Sequence, residues 1–174
     1  MCICVASLVS SVCQLFQRWC LVGWLLCCSP VLAVQHWEGV VLHVSDGDTL
    51  WVMPPRQSEA RKLRLAGVDA PEICQHWGPQ AWLALRKRLL GHAVQVQTGR
   101  RDIYGRWLAQ VHVQGQDVAG WMVAEGHAWS PGYKGLPGPY ENLQRQAQWQ
   151  RRGMFAHPLG MMPPREFRRW HGRC

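Results

Sequence analysis

Two stretches, Ser45-Asp-Gly-Asp-Thr49 and Arg64-Leu-Ala-Gly-Val-Asp-Ala-Pro-Glu72, decide the fold that this sequence predicts. The region from residue 45 to residue 72 also holds five of the eleven acidic residues of the chain, which are Asp46, Asp48, Glu59, Asp69 and Glu72. Carboxylates are costly to bury unless a positive group pairs with them, and a hard cation is a common partner. The sequence therefore predicts an acidic cluster that binds a cation.

The first stretch lies between two apolar runs. Val40, Leu42 and Val44 alternate with other residues before it, and Thr-Leu-Trp-Val-Met at 49–53 follows it. Asp-Gly between two apolar runs is a strong signal for a β-hairpin. Asp46 can therefore be a turn residue without another role. Asp48 is harder to explain in this way, because it lies just past the turn, where a strand prefers threonine or valine.

The second stretch predicts a third strand over residues 62–69, with Asp69 at its end. The proline at position 71 favours an extended conformation for Ala70, whose carbonyl oxygen then stays available as a ligand. Arg64 lies within this strand, and a second arginine, Arg106, follows in Asp102-Ile-Tyr-Gly-Arg106. An acidic, cation-binding cluster with arginines beside it is suited to the cleavage of phosphodiesters.

The remaining pattern predicts two more strands and three helices. Alternating valines place the strands near residues 94–96 and 107–113, and turn and capping residues place the helices at 78–91, 117–126 and 140–152. Five short strands with a helix between the third and the fourth predict an α+β fold, namely a five-stranded OB-type Greek-key β-barrel with three α-helices. The residues beyond His157 show no clear periodicity.

The composition limits the partners. A chain of 174 residues is long enough for one domain with its own core. Its formal charge is +8, and sixteen of its nineteen basic residues are arginine. The guanidinium group binds phosphate with two parallel hydrogen bonds, which suits a nucleic-acid partner. Charge alone fits equally a basic protein that binds no nucleic acid.

The first 33 residues contain no acidic residue and one basic residue, Arg18, which precedes an apolar run ending in Val31-Leu-Ala33. These features are typical of a secretory signal peptide and predict a secreted or periplasmic protein. An uncleaved anchor that associates with a membrane through residues 19–33 is the alternative. Pro30 interrupts this run, which falls short of the ~20 apolar residues that span a bilayer. A lipid-modified cysteine or a misassigned start is the third interpretation.

These observations divide the chain into residues 1–33, a signal peptide or anchor, residues 34–157, the barrel domain, and residues 158–174, a basic C-terminal tail. Six of the eight cysteines lie within the first 28 residues, so the sequence does not predict a disulfide-rich scaffold. Cys74 and His76 are predicted to be surface residues rather than metal ligands.

Four motifs occur in a fixed order: Asp46-Gly-Asp-Thr49, Arg64-Leu-x-Gly-Val-Asp-x-Pro-Glu72, Gly78-Pro-x-Ala81 and Asp102-x-Tyr-Gly-Arg106. In these motifs the sequence resembles the staphylococcal nuclease (thermonuclease) family over residues 37–156. The resemblance implies an OB barrel and a Ca²⁺-dependent nuclease. Such an enzyme hydrolyses DNA and RNA with low sequence specificity and leaves 3′-phosphate ends.

The resemblance also implies a ligand set for the cation, in which Asp48 and Asp69 contribute carboxylates and Ala70 contributes its main-chain oxygen. Ca²⁺ takes six to eight oxygen ligands, so three protein ligands leave positions for water and a phosphate oxygen. An open position is what a catalytic metal requires.

Three catalytic residues are implied in the same way. Arg64 and Arg106 match the two arginines that bind the scissile phosphate, and Glu72 matches the general base that deprotonates the attacking water. Each has a simpler alternative. Arg64 can be an outward-facing charge on a strand, Arg106 can merely close the Asp102 turn, and Glu72 can merely cap the loop before the helix.

Tyr133 lies in the Gly- and Pro-rich loop where the family stacks a nucleotide base, and it is the candidate substrate-binding residue. We expect the chain to act as a monomer on DNA and RNA. Two other functions compete with this prediction: an OB module that binds nucleic acid without cleaving it, and a membrane-anchored protein whose barrel serves interaction only. The presence of all five charged site residues counts against the first of these.

Overall fold

The computed structural model describes residues 34–157, 161–172 and 174, and all of them belong to one compact unit. The predicted signal peptide lies outside the described residues, so its assignment stays a prediction. Among the residues that are described, no helix has the length and apolar character needed to cross a membrane.

The strands form a closed barrel. They are β1 (Gln35–Val44), β2 (Thr49–Met53), β3 (Arg61–Leu65), β4 (Ala93–Arg101), β5 (Trp107–Val113) and the two-residue β6 (Gln116–Asp117). The sheet has the order β3-β2-β1-β4-β5-β6, and a parallel pairing of β3 with β5 closes it. The α+β fold with a five-stranded OB-type barrel is therefore confirmed, with β6 as a short addition that pairs with the end of β5.

The Asp46-Gly47 hairpin has the predicted position. Val44 pairs with Leu50, and the amide of Ser45 donates to the carbonyl of Thr49 at 2.9 Å. A register shift between Val41 and His43 interrupts the simple alternation of β1. As a result Val41 and Val44 point into the core, while Leu42 is exposed.

The third strand is shorter than predicted, because it ends at Leu65 instead of continuing to Asp69. A turn follows, in which Gly67 has a φ of 75°, a value that glycine adopts without steric cost. Asp69 then forms an isolated bridge with Trp129 through two backbone hydrogen bonds of 2.9 Å. The acidic residue is thus fixed by a distant segment and not by the end of β3.

The barrel interior is filled by side chains that alternate along the strands. Each of the strands β1 to β5 contributes at least two buried residues, among them Leu50, Val52, Leu63, Leu65, Val94, Val96, Ala109 and Val111. Burial of one such valine or leucine side chain stabilises the fold by about 1.5–3 kcal/mol. This core holds the polar ends of the strands in fixed positions at the barrel rim.

Four α-helices surround the barrel within the described residues, where three were predicted. They are α1 (Gly78–Leu89), α2 (Val118–Ala124), α3 (Glu141–Trp149) and α4 (Pro164–His171), and a 3₁₀ turn spans Gly153–Ala156. Asp117 caps α2 as predicted, since its carboxylate accepts from the amides of Ala119 and Gly120. Helix α4 lies beyond His157, where the sequence shows no clear periodicity. A helix of eight residues is too short to produce a recognisable helical pattern.

Helix α1 begins where the chain comes very close to itself. The amide of Gly78 donates to the carbonyl of Gln75 at 2.9 Å, and a Cβ atom at Gly78 would overlap the carbonyl oxygen of Glu72. Only glycine fits here, so this position fixes the loop that carries Glu72 against the start of the helix.

We therefore expect Gly78→Ala to lower the free energy of unfolding by about 1–3 kcal/mol, although alanine favours helix. Urea denaturation measures this effect. Gly99→Ala is the matched control, because a Cβ at Gly99 meets no atom within 4 Å. Equal stabilities of the two variants would show that the close approach at Gly78 does not constrain the loop.

Candidate active site

Asp48 lies immediately after the β1–β2 turn, and its position is fixed by local hydrogen bonds. Its amide donates to Oδ1 of Asp46 at 3.0 Å, and its own Oδ1 accepts from the hydroxyl of Thr49 at 2.9 Å. The carbonyl of Asp48 accepts from the amide of Leu65 at 2.9 Å, which attaches the turn to the end of β3. Asp46 thus acts as a turn residue that orients the chain around Asp48.

Asp69 and Ala70 approach Asp48 from the segment after β3. The amide of Ala70 donates to Oδ2 of Asp48 at 3.3 Å, and the side chains of both aspartates are almost fully buried. Asp48, Asp69 and Ala70, the three residues of the predicted ligand set, therefore lie together, although 21 positions separate Asp48 from Asp69 in the sequence.

Arg64 joins the two carboxylates. Its Nη1 lies 2.6 Å from Oδ2 of Asp48, and its Nη2 lies 2.8 Å from Oδ1 of Asp69. One planar guanidinium therefore bridges both carboxylates. The side chain of Arg64 points into the site, which rules out the alternative of an outward-facing strand charge.

Arg106 approaches from the opposite side at the start of β5. Its Nε and Nη2 both lie 2.7 Å from Oδ2 of Asp102, and its Nη1 donates to the hydroxyl of Thr49 at 3.3 Å. Burial alone would raise the pKa of Asp102, but the hydrogen bonds from Arg106 and from the amide of Tyr104 outweigh burial and lower it. Arg106 thus closes the Asp102 turn and also faces the site.

Glu72 follows Pro71 at the edge of the same site. Its amide donates to Oε1 of Gln75 at 3.2 Å, and its carboxylate accepts from Nη1 of Arg168 at 2.7 Å. Arg168 belongs to α4, and no sequence prediction included it.

Most of these residues line one cavity of about 450 Å³, although Asp69 is not part of its lining. Its lining includes Asp48, Ala70 and Glu72, and all three arginines, Arg64, Arg106 and Arg168. Arg64 and Arg168 form salt bridges with the carboxylates of the site, and Arg106 lines the same cavity. Carboxylates and guanidinium groups together suit a cation and a phosphodiester.

Comparison with known proteins agrees with this geometry. Residues 62–157 match the family described as staphylococcal nuclease homologue. The chain belongs to this family. An uncharacterized endonuclease of Escherichia coli O157:H7 is 36% identical over 128 residues, which cover 73% of this chain and 82% of the relative. A micrococcal nuclease of Shigella flexneri is 33% identical over 147 residues, which cover 76% of this chain and 83% of the relative.

Membership of the staphylococcal nuclease family makes the chain a nuclease, a hydrolase that acts on phosphodiester bonds. The predicted family is therefore confirmed. The matched region includes Arg64, Asp69, Ala70, Glu72 and Arg106. Asp48 lies before the matched region, at the turn of the β1–β2 hairpin that brings it to the site.

The electrostatics of the nuclease site favour a bound cation. Burial raises the pKa of Asp48 to about 7, and the neighbouring carboxylates of Asp46 and Asp69 add to the effect, while Arg64 opposes it. The guanidinium of Arg64 does not fully offset the burial of this carboxylate, and a hard cation would add positive charge beside it. The donors are all oxygen atoms, which suit Ca²⁺ or Mg²⁺ better than zinc. The donor atoms are of the kind that such an ion takes, but within the described residues no three His, Cys, Asp or Glu side chains are grouped so that they could hold a metal.

Tyr133 is not among the residues that line the cavity. Its side chain is 73% exposed, and its backbone pairs with Leu136 in the loop between α2 and α3. Tyr104 lines the cavity instead, and the guanidinium of Arg106 lies 5.5 Å from its ring centre. The sequence contained a signal for Tyr104, because it is the tyrosine of the Asp102-x-Tyr-Gly-Arg106 motif.

Cys74 lies at the surface, as predicted, and forms a disulfide with Cys174 at a Cα–Cα distance of 5.9 Å. The sequence analysis did not propose this pair. A signal was present, since these are the two cysteines outside the N-terminal 28 residues. The disulfide connects Cys174, which follows α4, to the loop that carries Glu72. His76 is exposed and its ring packs against that of His157.

Proposed function

We propose that this nuclease is Ca²⁺-dependent, that it hydrolyses both DNA and RNA with low sequence specificity, and that it leaves 3′-phosphate ends. The observation that carries the proposal is the guanidinium of Arg64 between Asp48 and Asp69, in one cavity with Glu72 and Arg106. The cavity is lined mainly by charged groups, which suit the phosphodiester that all nucleic acids share and so favour low specificity.

In this mechanism Glu72 accepts a proton from the attacking water, because a carboxylate at the edge of a solvent-open cavity can reach water and phosphate together. Arg64 and Arg106 bind the non-bridging oxygens of the scissile phosphate. Negative charge builds on these oxygens in the transition state, and fixed guanidinium groups stabilise it more than they stabilise the ground state.

Asp48, Asp69 and the main-chain oxygen of Ala70 would hold the cation. When bound, a divalent cation supplies positive charge beside the phosphate and helps to orient the reactants. The larger radius and looser coordination of Ca²⁺ suit a site with few protein ligands, whereas Mg²⁺ demands a nearly ideal octahedron.

Two further features belong to the proposal. A cleaved signal peptide at residues 1–33 would direct the nuclease to the periplasm or outside the cell, and an uncleaved anchor would instead keep it at a membrane. N-terminal sequencing of the mature protein after cell fractionation distinguishes the two. We also propose that the nuclease acts as a monomer, because its cavity is complete within one chain.

A cleavage assay with purified protein tests the proposed function. We expect hydrolysis of DNA and RNA in Ca²⁺, no cleavage in excess chelator, full recovery when Ca²⁺ is restored, and much less activity in Mg²⁺. End-labelled products should carry 3′-phosphates, which a phosphatase removes.

Cleavage that continues in excess chelator would refute the role of the metal. Tight binding of nucleic acid without any cleavage would favour the competing function of a non-catalytic binding module. Asp48→Asn serves as the control, since it removes the charge of one proposed ligand while it keeps the size of the side chain.

A further inference from the structure

Arg168 gives α4 a direct connection to the active site. Its Nη1 lies 2.7 Å from Oε1 of Glu72 and 3.3 Å from Oδ1 of Asp69, and its Nη2 lies 3.0 Å from Oδ2 of Asp69. The side chain is 24% exposed, so this is a partly buried contact and not a loose surface pair. The proposed mechanism gives this third arginine no role.

Two more contacts attach the surroundings of α4 to the loop that carries Glu72. Before the helix, Nε2 of Gln75 donates to the carbonyl of Met162 at 2.6 Å. After the helix, Cys174 forms its disulfide with Cys74. We call α4 together with Met162 and Cys174 the C-terminal brace. It holds the loop at three points, of which the middle one is Arg168.

Gln75 connects the brace to the backbone of Glu72. Its side chain is almost fully buried, and its Oε1 accepts from the amide of Glu72 while its Nε2 donates to Met162. The backbone and the carboxylate of Glu72 are therefore both fixed through the brace. Within the described residues, the carboxylate of Glu72 forms its salt bridge with Arg168.

A general base must be held in a narrow range of orientations, because misplacement by about 1 Å can cost about 10²-fold in rate. A glutamate carboxylate ends a chain of three rotatable bonds and does not hold itself. Arg168 contacts Oε1 of Glu72, which leaves the other oxygen for the proton of water. Its two bonds to Asp69 fix the guanidinium relative to the proposed metal ligands.

We propose that Arg168 is a positioning residue that orients Glu72, and that the disulfide-closed C-terminal brace keeps it in place. The proposal rests on the proposed function, in which Glu72 is the base. The alternative is inhibition, in which the guanidinium on both oxygens of Asp69 excludes the cation. The two effects differ in sign, so one experiment separates them.

The experiment is a double-mutant cycle on the full chain, with kcat and KM measured in saturating Ca²⁺. We expect Arg168→Gln to lower kcat about 10- to 100-fold, as is typical when a supporting hydrogen bond to a functional residue is lost. KM should change little, and Arg168→Lys should restore only part of the rate, because a lysine cannot bridge two carboxylates with a planar fork. In a Glu72→Gln background, Arg168→Gln should cause no further loss.

Arg169→Gln is the matched control, because it removes the same charge from an exposed position on the same helix. It should leave kcat unchanged. An equal loss from Arg168→Gln in both backgrounds would mean a merely structural role and would overturn the proposal. A higher kcat in Arg168→Gln would overturn it in favour of inhibition, and an unchanged kcat would overturn it outright.

The disulfide provides a second test. Cys174→Ser should lower kcat in the same direction as Arg168→Gln, and a reducing agent should lower kcat of the wild type but not of Cys174→Ser. Amide hydrogen exchange should also become faster in loop residues 72–77, where the amide of Gln75 donates to the carbonyl of Glu72. Unchanged exchange and unchanged kcat after reduction would refute the role of the brace.

Failure of this inference differs from failure of the proposed function. If Glu72→Gln keeps the full rate, the base assignment in the proposed function is wrong. If Glu72→Gln loses rate and Arg168→Gln does not, only the inference about Arg168 is wrong.

Discussion

Glu72→Gln is expected to lower kcat by about 10²- to 10⁴-fold, because the substitution keeps the size of the side chain and removes its ability to accept a proton. Glutamine can still accept from Arg168 through its amide oxygen, so the contact with α4 need not be lost. The effect should therefore arise from the chemistry and not from the loop. Single-turnover cleavage of a labelled oligonucleotide in saturating Ca²⁺ measures it.

Binding and stability separate the possible causes of such a loss. The affinity for an uncleaved oligonucleotide and the thermal midpoint should both stay close to those of the wild type. A fall in Ca²⁺ affinity together with the rate would identify Glu72 as a metal ligand. A variant with full activity but a lower thermal midpoint would reduce Glu72 to a loop residue.

Arg64→Ala and Arg106→Ala are each expected to lower kcat by at least about 10²-fold, since each removes a donor placed to stabilise charge in the transition state. Arg64 also compensates the buried charges of Asp48 and Asp69. Its loss should reduce stability more than the loss of Arg106 when no metal is bound. Saturating Ca²⁺ should offset part of this difference, because the cation supplies positive charge to the same carboxylates.

Arg61→Ala is the matched control for Arg64. Arg61 lies on the same strand and contacts the ring of Trp37 outside the cavity. Its loss should leave kcat unchanged. An Arg64 or Arg106 variant with wild-type turnover would remove that residue from the mechanism, and circular dichroism verifies that each variant is folded.

The sequence predicted the barrel and the central residues of the site for a physical reason. Turn chemistry at Asp46-Gly47 and alternation along the strands are local properties, and the motifs place Asp48, Asp69 and Arg64 on neighbouring chain segments. The bulge in β1 and the early end of β3 were missed. Both depend on pairing with other strands and on the contact of Asp69 with Trp129, which no local pattern encodes.

The contribution of α4 was missed for a similar reason. Eight residues carry too few turns for a helical pattern, and Arg168 is one of three arginines within five positions. Its neighbour Arg169 has the same chemistry and is exposed. Contacts between distant positions distinguish Arg168, which reaches Glu72, and they include the disulfide of Cys174 with Cys74, 100 positions away, and the bond of Gln75 to Met162.

The parallel pairing of β3 with β5 makes the pair of arginines depend on closure of the barrel. It joins Leu63 to Trp107 and thereby brings Arg64 and Arg106 to the same rim. The loop between these strands must lose conformational entropy before they can pair. A chain in which β3 and β5 are not paired holds the acidic groups without both arginines at one cavity. Opening of the barrel at this one seam would therefore separate the two guanidinium groups without changing either residue.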